Sequence, residues 1–319
     1  MAIISFNQEC SPSVLDVLSG FSESNLHHFE YELRHPVGIY RNSMNEIARR
    51  FGVVYAKLEQ LNSEYESGKS TNGFGELLDA HETLLYRIRE FIDDCYLVLQ
   101  GIAPLDSRYY PKTIFANQYL TKIKFPGFKS FERKIEFYRN NHVGAIVNAL
   151  KHKQRTLRGI YFYSQNDGKL FVPGYYVEGV SKKGSLAPCR SVHPDENSAF
   201  SFNRDLKLHV WNILQIDTAL SDVIESAMDV WNIRASRITN EPQGISLSNL
   251  LVKAAALPNQ YFFDEQAKPT VRFQHSESLC ELEYPCKKGI EQLPSDVSIR
   301  SMHVVDMTVP HMVLPYYRR

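Results

Sequence analysis

Two apolar stripes separated by a short polar loop constrain this chain more than any other feature. Between Asn42 and Glu66, the residues Ile47, Phe51, Val54, Leu58 and Leu61 recur at spacings of three and four, the period of a helix with one buried face. Leu77, Leu78, Leu84, Leu85, Ile88, Phe91, Ile92 and Tyr96 repeat the pattern as far as Gly101 and Pro104, which stop it. The polar stretch from Ser67 to Gly73 joins them. Neither helix can cover its own stripe, so the pair predicts an antiparallel helical hairpin.

The rest of the chain reads as a mixture. A third helix is expected from an N-cap at Ser130 through Ile135, Tyr138, Ile146 and Leu150 to Leu157, with Asn140, Asn141 and Gly144 as points of interruption. Gly159 to Tyr163 and Lys169 to Glu178 are aromatic-rich runs on either side of Asn166-Asp167-Gly168, the pattern of a β-hairpin. Asn203 reads as the cap of a long helix whose stripe is Leu206, Val210, Ile213, Leu220, Ile224, Ala227 and Trp231. Beyond Ser236 proline, serine and short apolar runs take over, and alternation from Val297 to Val309 predicts a half-buried strand. The expected fold class is α+β, mainly α. A helical bundle body over residues 1–235 would carry an inserted β-hairpin near 159–178, followed by a β-rich C-terminal part over 236–319.

Composition narrows the classes of function. With 43% apolar and 23% charged residues among 319, the chain is an ordinary globular one and global disorder is excluded. No apolar run approaches the roughly 18–20 residues that span a bilayer, so no membrane association is expected. The N-terminal apolar run lacks a basic residue ahead of it, and the five cysteines are odd in number and mostly far apart. Reduced thiols and a cytoplasmic location are the expectation. His275, Cys280, Cys286 and His303 match no zinc spacing. Gly68-Lys69-Ser70-Thr71 lacks the first glycine of a phosphate loop, and neither Gly-x-Ser-x-Gly nor Gly-x-Gly-x-x-Gly occurs. The sequence therefore predicts no metal and no cofactor.

Charge is balanced overall, 36 basic against 36 acidic residues, yet it is unevenly placed. Pro111 to Arg158 holds eleven basic residues and only two acids, Glu132 and Glu136, interleaved with Phe115, Tyr119, Phe125, Phe128, Phe131, Phe137 and Tyr138. Cations that seek phosphate beside rings that stack on unpaired bases are the pattern of a single-stranded nucleic-acid surface. An acidic surface is the other natural partner, and Tyr55 to Cys95 carries nine acids against four bases within the same chain. Helical spacing places Asn148, His152 and Arg155 on one face opposite the apolar stripe. With Lys151, Lys153 and Arg158, they form the candidate nucleic-acid or phosphate-binding set. The first reading is thus an intracellular, non-catalytic binding or assembly protein that contacts nucleic acid, RNA included, or an acidic partner through residues 112–158.

A second reading starts at Arg204-Asp205-Leu-Lys-Leu-His209, on the first turns of the long helix. Arginine, a polar residue, three further residues and histidine resemble the motif of the HEPN ribonucleases, which are helical proteins. The resemblance implies metal-independent RNA cleavage at a homodimer interface with the RNA 2′-hydroxyl as nucleophile. Arg204 would stabilise phosphate charge and His209 would transfer a proton, making these two the candidate catalytic residues. The same stretch, with Pro194-Asp195, superficially matches a Mg²⁺-dependent nuclease motif. That chemistry needs Asp205 and Lys207 on one side of a strand, whereas a helix start is expected here.

Overall fold

The computed structural model describes residues 2–6, 12–69, 73–112, 115–153, 155–164, 170–181, 184–195, 197–233, 247–275, 280–294, 297–302 and 312–316. It is mainly helical, with two antiparallel sheets. After strand β1 (Ala2–Phe6) and the short helix α1 (Ser13–Ser19), the expected hairpin appears as α2 (Pro36–Glu66) and α3 (Phe74–Ile102). α2 begins six residues before the expected start at Asn42, because Pro36 suits a first helical turn and His35 Nδ1 accepts the Val37 N–H at 3.2 Å. All five stripe residues of α2 are buried, as are Leu77, Leu84, Leu85, Ile88, Phe91 and Ile92 of α3.

The basic segment forms α4 (Ala116–Lys122), α5 (Phe128–Phe137), a π-helical turn over Tyr138–His142 and α6 (Val143–Lys153). α5 starts after Gly127 at φ +72° rather than at Ser130, since glycine alone enters the left-handed region freely. The expected interruption falls on the π-turn. A Cβ on Gly144 would lie 1.6 Å from the Arg139 carbonyl oxygen, so the widened turn closes only over glycine. Leu157 is not helical as expected: it belongs to β2 (Thr156–Ser164), whose pairing with β3 (Phe171–Val180) begins at Thr156↔Glu178. The ladder takes up the backbone as soon as α6 ends. The turn at 166–168 lies outside the described residues.

β4 (Leu186–Pro188) and β5 (Phe200–Ser201) both pair with β3, and the long helix α7 (Phe202–Val230) follows at once. Its N-cap is Ser201, not Asn203. After α7 come α8 (Ser248–Ala256), α9 (Phe263–Gln266), β6 (Thr270–His275), β7 (Cys280–Cys286) and β8 (Val297–Met302). β8 pairs with β2, so the hairpin sheet runs β4-β3-β2-β8, while the second sheet runs β1-β7-β6 and joins the two ends of the chain. The division near residue 236 is therefore one of composition, because strands from both sides of it share both sheets. The alternation beyond Met302 lies outside the described residues. Among the described residues, no helix is long and apolar enough to cross a membrane.

α7 is the central element, packing on α1, α5, α8, β3 and β6. Its Asp217 is buried and serves as the cap that α1 lacks locally. One carboxylate oxygen accepts the Ser13 N–H and O–H at 2.9 Å each, and the other accepts the Val14 N–H at 3.2 Å and the Tyr40 hydroxyl at 2.5 Å. Replacing Asp217→Ala leaves these donors unpaired in the interior at about 1–3 kcal/mol per group. We expect a loss on the order of 3 kcal/mol by chemical denaturation. A loss under about 0.5 kcal/mol would show that α1 docks without this cap.

Candidate functional site

The first turns of α7 are buried on every side. Phe202 to Val210 are all buried, although Asn203, Arg204, Asp205, Lys207 and His209 among them are polar or charged. Such residues persist in an interior only when partners replace water. On one side of the helix, Arg204 donates to the Pro269 carbonyl at 2.7 Å and lies 3.8 Å from Glu265. Lys207 Nζ donates to Asn259 Oδ1 at 2.7 Å and to the Pro258 carbonyl at 3.3 Å. Burial pushes Lys207 down to about 8. Asp205 and Lys207 thus point to different surroundings, as a helix requires, and do not form the paired geometry of the Mg²⁺-dependent nucleases.

On the other side lies a closed polar centre. Asp205 Oδ1 contacts His142 Nε2 of the π-turn at 2.8 Å, and Oδ2 accepts the Tyr175 hydroxyl of β3 at 2.6 Å. His209 Nε2 lies 3.0 Å from Oδ2, and His81 Nε2 of α3 lies 3.5 Å from it. His209 Nδ1 in turn meets the Tyr138 hydroxyl at 2.9 Å. Burial alone would raise the Asp205 carboxyl, but His209 and His142 beside it hold it well below the usual carboxylate range. Burial pushes the His81 imidazole down despite the pull of Asp205. Burial, with Asp205 adding to it, pushes the Tyr138 and Tyr175 phenols well up, so both remain proton donors. Three imidazoles around one carboxylate can share a proton or hold a cation. Among the described residues, His81, Asp205 and His209 each offer one ligand atom within 4.8 Å of the others.

The structure separates the two candidate catalytic residues. His209 is fully buried and turned to Asp205 and Tyr138, whereas Arg204 is turned to Pro269 and Glu265. Five residues apart on a helix, they share no open cleft within the chain. His209 does touch the basic segment, through Tyr138 and, at 5.5 Å between ring centroids, His142.

The candidate phosphate face is also rearranged. α6 ends at Lys153, so Arg155 leaves the helix and does not share a helical face with Asn148 and His152, which are exposed. Arg158 pairs with Glu178 at 3.0 Å across the hairpin, and Lys151 lies 5.1 Å from the Tyr86 ring centre. The side chains of Lys153, His275 and Cys280, and all of Cys10 and His303, lie outside the described residues. Cys95, Cys189 and Cys286 are buried free thiols. Of the seven interleaved rings, Tyr119 of α4, Phe125 of the loop after it, Phe128 and Phe131 of α5 and Tyr138 of the π-turn are buried in the core. Only Phe115 and Phe137 remain exposed, at 60% and 72%. The cations of the segment do face outward. Lys124, Lys129 and Arg133 are exposed without an acidic partner among the described residues, and Lys129 and Arg133 line a groove of about 390 Å³ that Glu132, Glu136 and Arg139 also border. Among the described residues, Arg139 pairs with Glu132, Arg158 with Glu178 and Lys134 with Asp222.

Sequence reasoning missed His81, His142, Tyr138 and Tyr175 as parts of one centre. One signal was present: His81 follows Leu77 by four and precedes Leu84 and Leu85 by three and four, which puts an imidazole inside a buried stripe. The other three come together only through the π-turn and the pleat of β3.

A further histidine, His193, is buried behind Phe200. Its Nε2 accepts the Val177 N–H at 3.1 Å, which requires a neutral ring. Burial holds it down at about 3. The unfolded chain then binds the extra proton below the ordinary histidine value of 6.5, so stability is complete above that pH and is lost as pH falls toward 3. Between pH 7 and pH 5 we expect His193 to account for about 2 kcal/mol of lost stability. Denaturation of the wild type and of His193→Gln at both pH values measures it, and parallel losses in the two proteins would refute it.

No protein-family model matches the chain, and no curated protein or solved structure is similar to it.

Proposed function

We propose that this chain is a non-catalytic binding protein that engages an anionic polymer, nucleic acid foremost, through the outer face of α5 and the loop that leads into it. The observation that carries this reading is the row of exposed cations Lys124, Lys129 and Arg133, free of acidic partners among the described residues. Free cations beside a groove are set to exchange small counterions for phosphates, and Phe137 on the same helix is open to a base. An acidic protein surface would use the same charges without the ring. The ribonuclease reading needs Arg204 and His209 on one phosphate. Their burial and opposite orientation within a chain favour the non-catalytic reading, which has no need of a homodimer.

Fluorescence anisotropy with a single-stranded RNA oligonucleotide, repeated over a salt series, tests the proposal. The double reversal Lys129→Glu with Arg133→Glu should weaken binding at least about tenfold at low salt. It should also flatten the slope of log affinity against log salt by about 1.4, or 0.7 per lost phosphate contact. Lys287→Glu, an exposed change after β7, should leave both unchanged. RNA binding that survives the double reversal would sink this interface. Binding to an acidic polypeptide but not to RNA would assign the face to a protein partner.

A further inference from the structure

Three buried ring nitrogens at one spot have no hydrogen-bond partner: both nitrogens of His81 and Nε2 of His209. An interior polar group left unmatched costs about 1–3 kcal/mol, and of these three the Nε2 atoms of His81 and His209 both lie against Asp205 Oδ2, so one ligand can serve both, while His81 Nδ1 is turned away on its ring. Asp205 Oδ2 is close to both rings, yet it forms no aligned hydrogen bond with either. It is 3.0 Å from His209 Nε2 without accepting a hydrogen bond from it, and 3.5 Å from His81 Nε2. A shared proton demands an oxygen on the line of the ring N–H. A shared cation sits off the line between its two ligand atoms, which leaves the oxygen near the nitrogen but out of that line.

The spacing has the right size. Tetrahedral zinc bonded to nitrogen and oxygen at about 2.1 Å holds its ligand atoms about 3.4 Å apart, and the two separations lie on either side of that value. Two of the three ligands have the supports that metal ligands usually have, and His81 is held by packing against Tyr175 and Phe202 instead. His209 is fixed through Nδ1 by the Tyr138 hydroxyl, leaving Nε2 for the ion, and Asp205 is fixed by His142 and Tyr175. His142 contacts the other carboxylate oxygen and, at 16% side-chain exposure, is the most open of the three histidines around Asp205.

We propose that His81, Asp205 and His209 form a binding site for one divalent first-row transition-metal ion, with Zn²⁺ the ion best suited to two imidazoles and a carboxylate. The ion bridges α3 and α7, two elements otherwise held together here by ring contacts. The site is independent of the α5 cation face, so either assignment stands if the other fails.

The full-length protein, purified without an added chelator or a metal-affinity step, is analysed for metal by plasma mass spectrometry. It is then stripped with a chelator and titrated with Zn²⁺ by calorimetry, with thermal melting alongside. The expected result is one ion per chain and a melting temperature raised by several degrees on loading. Cobalt in place of zinc should give visible ligand-field bands with no thiolate charge-transfer band, because no cysteine takes part. His81→Asn and His209→Asn, checked for folding by circular dichroism, should lose the ion. Folded wild-type protein that neither carries nor takes up zinc, cobalt, iron or manganese overturns the proposal and leaves a water or an empty polar centre. Retention of the ion by a folded His81→Asn variant, or a thiolate band with cobalt, overturns it by placing the metal elsewhere. If both variants unfold, the wild-type stoichiometry and the cobalt spectrum decide.

Discussion

A carboxylate cannot stand uncompensated in a protein interior, and Asp205 is buried to 1% exposure at the middle of this one. Much of the surrounding architecture answers that demand. α3 supplies His81, β3 supplies Tyr175, the π-turn supplies His142 and α7 itself supplies His209 one turn on. Elements distant in sequence are thereby brought to one point by charge as well as by apolar area. Truncating Asp205 would leave the Tyr175 hydroxyl and the His142 ring without the carboxylate they share, which makes this network a specification of how α3, α7 and the hairpin meet.

The same helix fastens the C-terminal part. Arg204 and Lys207 reach carbonyls at Pro269 and Pro258, and Asn203 reaches that of Gln260. The stretch from Pro258 to Pro269, which includes α9 and buries Tyr261 and Phe262, is thus also held to the body by the polar side chains of a buried helix, and β6 follows directly from it. The N-terminal strand β1 closes the arrangement on β7, so the two ends of the chain share a sheet whose neighbour is α7.

The π-turn is where the outward and inward halves of the basic segment divide. Before it, α5 turns Phe128, Phe131 and Ile135 into the core and leaves Lys129 and Arg133 outside, the usual division of an amphipathic helix. At the turn, Arg139 folds back on Glu132 and Tyr96, while Tyr138 and His142 go inward to the polar centre. One extra residue in the turn shifts the helix register, and Gly144 makes room for it. Surface charge and buried ionic chemistry are therefore consecutive in sequence and separated by a single change of helical pitch.

Patterns with a strict period were legible without a structure. The α2–α3 hairpin and the apolar stripe of α7 follow from spacings of three and four residues, because local backbone geometry alone decides which side chains share a face, and the β2–β3 hairpin was legible from two aromatic-rich runs around a turn signal. An interruption near Asn140 to Gly144 was legible too, although its form as a π-turn was not. Charge asymmetry in 112–158 identified cations that stay at the surface, but it could not tell which of the interleaved rings would be spent on the core. What only the tertiary structure decided was the environment of polar residues. Arg204, Asp205 and His209 read alike as exposed or catalytic in one dimension. Their burial, and the union of Asp205 and His209 with His81, His142 and Tyr175, depend on contacts across more than 120 residues of chain, from His81 to His209, that no local period encodes.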